Sequence, residues 1–145
     1  AACMSALARR TRLRSRTRAH QRHVASTMSS LANDWPLALP HIRDALKHSG
    51  DMHTPADVYQ RIEEGRAELH VGNRSAVVTQ SLSNGKHLHF WLAGGHLDEL
   101  KTIERDVTAV ARARGFEKVT IAGRRGWLRS LDNYKEAATI MVKEL

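Results

Sequence analysis

Between Lys86 and Ala122 the chain reads as strand, glycine pair, long helix and strand, and this run restricts the fold more than any other part. "KHLHFWLA" turns apolar through Phe90, Trp91 and Leu92, as a central strand buried on both faces would. Gly94 and Gly95 turn the chain. Leu97, Leu100, Ile103, Val107, Val110 and Arg114 then follow helical spacing, which predicts one long helix with a buried stripe. Asp98 and Glu99 complement its positive end, Arg112 and Arg114 its negative end, and Gly115 suits the cap beyond. "EKVTIAG" follows as a strand. Strand, helix and strand in this order predict a parallel pair joined by a crossover.

The elements around this unit are shorter. "LALPHIRDALKH", residues 37–48, places Leu39, Ile42, Ala45 and Leu46 on one helical face and ends at Ser49-Gly50. "TPADVYQRIEEG" has Thr54 as N-cap, Pro55 at the first helical position, and Val58 and Ile62 on a shared face. "AELHVG" and "SAVVTQSL" read as strands joined through Gly72-Asn73. After the parallel unit, "GWLRSLDNYKEA" reads as a helix carrying Trp127, Leu128, Leu131 and Tyr134, and "ATIMVKEL" as a closing strand. The expected class is α/β (α+β): a central mixed sheet flanked by helices, occupying residues 35–145.

Charge separates this body from what precedes it. Residues 1–33 hold no Asp or Glu, and Arg9, Arg10, Arg12, Arg14, Arg16, Arg18 and Arg22 fall within fourteen positions. The remaining 16 Lys+Arg face all 15 Asp+Glu from Asp34 onward, so the net charge of +8 belongs to the arm and not to the fold. Val24, Met28 and Leu31 would make a narrow apolar stripe, and Asn33, Asp34 and Pro36 are expected to break it. The arm is placed at residues 1–34. Its composition suits a solvated extension, a mitochondrial transit peptide, or an arm that displaces counterions from phosphates without sequence preference. It contains no aromatic residue for base stacking. Cys3 is the only cysteine, which excludes an intrachain disulfide and a thiolate metal cluster. No apolar run approaches the roughly 20 residues of a membrane span, and no apolar block marks a secretory signal.

The order helix, helix, three strands, long helix, strand, helix, strand resembles the GNAT-type N-acetyltransferase fold. "HFWLAGG", "LDELKTIERDVTAVARARGFEKVTIAG" and "WLRSLDNYKEA" carry the resemblance, with Ala111-Arg112-Ala113-Arg114-Gly115-Phe116 and Tyr134 matching the family's local patterns. The resemblance implies acetyl-CoA as cofactor, held by a loop of form Q/R-x-x-G-x-G/A before the long helix. Its three defining positions fall on Gly95, Asp98 and Leu100, and none matches. An aspartate cannot grant a phosphate the backbone approach a glycine does. Two like charges about 4 Å apart also repel by about 1 kcal/mol in water and about 4 kcal/mol at a protein-surface dielectric.

The resemblance therefore implies a degenerate fold. "GRRGW" and the terminal "KEL" look similar to stretches of small GNAT-like proteins encoded among bacteriophage head and tail genes. This implies a virion-associated structural or assembly protein, present in host cytoplasm during assembly and bound to other virion proteins or packaged DNA. The contact residues would be the seven arm arginines with Arg124 and Arg125. An enzyme is not favoured and no cofactor is expected. The alternatives are an active acetyl-CoA-dependent N-acetyltransferase, with Tyr134 as general acid and Gly94, Gly95 and His96 at the cofactor, or a non-specific nucleic-acid-binding protein. On its residues alone Tyr134 reads as a core side chain. His70, His87 and His89 lie on neighbouring strands, but no tight motif makes them a metal site, and none is expected.

Overall fold

The computed structural model describes residues 30–50, 52–83, 85–123, 125–138, 141, 143 and 145. The arm arginines, Val24, Met28 and Arg124 lie outside the described residues. Residues 30–48 form one helix, α1. The chain divides into two compact units between Leu37 and Ala38, within that helix.

The break expected at Asn33, Asp34 and Pro36 does not occur. Pro36 and Pro40 lack an N–H, so the carbonyls of Ala32 and Pro36 lose their usual helical partners. Ala32, Pro36 and Pro40 are all exposed, so water can take those bonds and the helix continues. Ser30 Oγ also donates to Asp34 Oδ2 at 2.9 Å. The helix ends where Ser49 sends its N–H and its hydroxyl to the carbonyl of Leu46, at 3.0 and 2.9 Å. A chain beginning at Ser30 is expected to melt cooperatively. A denaturant melt of that truncation checks this.

Helix α2 spans Pro55–Glu63. Its start is a capping box: Thr54 Oγ1 accepts from the Asp57 N–H at 3.2 Å, and Asp57 Oδ2 accepts from the Thr54 N–H at 2.7 Å. Strands β1 (Ala67–Val71), β2 (Ser75–Leu82) and β3 (His87–Gly95) form antiparallel pairs in chain order. Helix α3 (Leu97–Ala113) then crosses to β4 (Lys118–Ile121), which runs parallel to β3. The result is a four-stranded mixed sheet, β1-β2-β3-β4, flanked by helices.

A bulge in β3 sets the two faces. Thr79 pairs with Phe90 but Val78 pairs with Leu92, so Trp91 is an extra residue. The insertion reverses the alternation beyond it. Phe90 joins Val77 and Leu88 on the face that packs against Leu100 and Ala111 of α3. Leu92 and Gly94 turn to the opposite face. Both Phe90 and Leu92 are buried while Trp91 between them is only half-buried. The strand thus holds buried residues on both faces, Leu88 and Phe90 on one and Leu92 and Gly94 on the other, as expected of a central strand, while His87, His89 and Trp91 between them are half-buried.

Three other expectations change. Val110 was placed on the buried stripe of α3 but is 56% exposed. The last helix, α4, covers only Gly126–Ser130. Leu131 is extended and Asn133 is left-handed at φ 64°, so "LDNY" forms a turn and Tyr134 follows the helix without lying on it. Of the expected closing strand, the described residues 138, 141, 143 and 145 belong to no regular element.

Candidate functional site

The start of α3 faces the turn between β1 and β2. Gly72 donates its N–H to the Ser75 carbonyl at 2.8 Å, which folds "GNRS" tightly. The N–H groups of Asn73 and Arg74 then converge with the Ser75 hydroxyl on one acceptor, the carboxylate of Glu99. The two backbone donors reach it at 2.5 and 2.9 Å. Ser75 is fully buried, so its hydroxyl depends on this partner. Converging backbone N–H groups make an anion nest. Here the anion is a side chain of the protein itself. The bonds from Ser75 and then Arg74 hold the Glu99 carboxyl below its ordinary value of 4.5.

Beside this nest lies an open cleft of about 330 Å³, lined by Arg74, His96, Asp98 and Thr102 among others. Asp98 is exposed at the helix start. A pyrophosphate set here would meet the carboxylates of Asp98 and Glu99 at once, so these residues do not fit the group that the resemblance implies. His96 donates its N–H to the Arg74 carbonyl at 3.3 Å, and its side chain makes no capping bond.

The glycine pair has a packing role. A Cβ on Gly94 would overlap the carbonyl oxygen of His41 in α1. A Cβ on Gly95 would overlap Arg74 and Ser75, and its φ of 121° belongs to glycine. Both glycines let backbones approach closely.

Tyr134 is half-buried and donates to Glu104 Oε1 at 2.6 Å. Burial, and then this bond, push its phenol well above the ordinary value of 10. Thr108 Oγ1 donates to the same oxygen at 3.0 Å. The hydroxyl thus ties the segment after α4 to α3. Arg125 pairs with Glu136 at 3.3 Å and is largely exposed.

The register separates the histidines. His87 and His89 pair with Leu82 and Gln80 on one face, whereas His70 pairs with Val77 on the face under α3. Among the described residues no three His, Cys, Asp or Glu side chains could hold a metal ion. His70 Nε2 lies 2.9 Å from Thr79 Oγ1, and His89 Nδ1 lies 2.8 Å from Thr120 Oγ1. Burial lowers the basicity of both rings.

Compared with family models, with curated proteins and with solved structures, the chain matches none. Among the described residues no helix is long and apolar enough to cross a membrane.

These shifts give stability two acid windows. Below the ordinary histidine value of 6.5, the unfolded chain takes up protons that His70 and His89 resist, so stability falls with pH. Below 4.5 the unfolded chain protonates Glu99 before the folded one does, and stability falls again. Thermal midpoints measured across pH should decline in both windows. Glu99→Gln should make only the lower decline shallower, because bonds from Thr54 hold Asp57 and bonds from Gln60 and Arg66 hold Glu64 below their ordinary values as well. An unchanged lower decline in that variant would show that Glu99 is not held as described.

Proposed function

We propose that this chain is a non-catalytic structural or assembly protein. In this reading it is a bacteriophage virion component on a degenerate acetyltransferase-like fold, whose basic arm contacts packaged DNA or the acidic face of a neighbour. The observation that carries the loss of catalysis is the Glu99 carboxylate in the nest beside α3. An enzyme binding acetyl-CoA at this end of the helix would have to displace a charged side chain with three hydrogen bonds. It would also have to place a polyanion next to Asp98. The engagement of Tyr134 by Glu104 supports the same reading, because a general acid needs its proton directed at a substrate.

Sequence order and the parallel β3–β4 pair support the acetyltransferase-like architecture. The assembly role rests on the charge of the arm. Seven arginines without an acid between them need negative groups around them, and a nearly neutral body has few to spare.

Isothermal titration with acetyl-CoA tests the catalytic half of this reading. No saturable binding is expected at micromolar concentrations. A dissociation constant in the low micromolar range, about −8 kcal/mol, would promote the enzyme instead.

A further inference from the structure

We propose that the fold carries a pH-sensitive strap: protonation of His70 transfers the Glu68 carboxylate from Arg114 to the imidazole and releases the end of α3 from strand β1. Helix α3 packs over β2 and β3, so the edge strand β1 lies beside it rather than beneath it. Glu68 on β1 spans the gap, its Oε1 accepting from Arg114 Nη1 at 3.3 Å. Arg114 is the residue that caps α3. Both side chains are exposed.

His70 stands two residues along β1 from Glu68 and therefore on the same face. Its ring leans toward Glu68. Nε2 lies 2.9 Å from Thr79 Oγ1, and Thr79 is the residue paired directly with Glu68 across the strands. The ring is half-buried and shares a cleft of about 310 Å³ with apolar Leu88, Val107 and Phe116. The cleft is open, so protons reach the ring from water.

The other charges at the cleft are matched while His70 is neutral. Glu68 faces Arg114, and Asp106 on α3 meets its neighbour Arg105 at 3.2 Å. A proton on His70 is then an uncancelled charge against apolar walls. Burial favours the neutral ring, Glu68 favours the charged one, and Arg114 opposes it. Once charged, a half-buried imidazolium needs a close counterion more than an exposed guanidinium, which water can solvate. Glu68 is the carboxylate next to the ring on its own strand. It turns to His70, and Arg114 turns to water.

Hydrogen exchange of the full chain at about pH 7.5 and about pH 5.5 tests this, expressed as protection factors so that the intrinsic pH dependence of exchange drops out. Amides 111–114, which open locally at the helix end, should lose about three- to fivefold protection in acid, the worth of an exposed ion pair. Amides in the β2–β3 ladder should lose less. Glu68→Gln alters an exposed residue, so the fold should persist, with the helix end loose at both pH values. His70→Gln keeps an amide for Thr79 and cannot take up the proton, so the end should stay strapped at both. Asp106→Asn should leave the response intact. A helix end indifferent to acid, an acid response that survives His70→Gln or Glu68→Gln, its loss in Asp106→Asn, or an equal loss throughout the sheet would overturn the proposal.

Discussion

Gly94→Ala should destabilise the chain by about 2–3 kcal/mol, the cost of overpacking a close contact. For a domain of this size that is about 10 °C in the thermal midpoint. The new methyl group would overlap a backbone oxygen, that of His41, and backbone cannot rotate aside as a side chain can. Either α1 moves away from β3 or β3 bends, and each opens space beside buried Ile42 and Leu92. Gly126→Ala is the matching control. A Cβ there meets nothing within 4 Å, and the residue begins α4. That change should be neutral or slightly stabilising. If both variants melt like the wild type, α1 does not pack on β3 as described.

The second large effect concerns the arm. Replacing Arg9, Arg10, Arg12, Arg14, Arg16, Arg18 and Arg22 with Gln should remove most binding to nucleic acid if that is the partner. Log affinity for the intact chain should fall linearly with log salt, at about −0.9 per phosphate contact. With about six or seven contacts, affinity between about 50 and 200 mM salt drops by roughly three orders of magnitude. The substituted arm should show a nearly flat dependence. If the partner is instead a neighbouring protein, nucleic-acid binding should be weak from the outset. The same substitutions should then block assembly, read by sedimentation of reconstituted particles. Full assembly and an unchanged salt slope with the substituted arm would refute both forms of the reading.

Local chemistry was legible wherever its partners lie within a few residues. Thr54, Pro55 and Asp57 announce the start of α2, and the capping box forms between them. "SAVVTQSL", read as a short strand after Gly72-Asn73, matches β2 to its ends. The spacing of Leu100, Ile103 and Val107 and the left-handed Gly115 mark α3, although Leu97 and Val110, read into the same stripe, are exposed. Misreadings arose where a local signal was outweighed by its surroundings. Asn33, Asp34 and Pro36 look like a break, but exposed carbonyls let the helix pass through. "LDNY" looks helical by spacing, yet Asn133 takes a left-handed turn and Tyr134 is drawn to Glu104 across thirty residues.

The candidate site divides in the same way. Sequence alone determined that the turn before α3 carries Gly94 and Gly95 and that two carboxylates follow. The purpose of those residues was a matter of tertiary structure. Glu99 could be read only as a complement to the helix dipole, because its donors at Asn73, Arg74 and Ser75 lie about 25 residues away. Gly94 could be read only as a turn, because the backbone it must admit belongs to α1, and because the one-residue bulge at Trp91 decides which face it occupies. Periodicity and capping record interactions along the chain. They carry no trace of which distant backbone will be folded against a given residue.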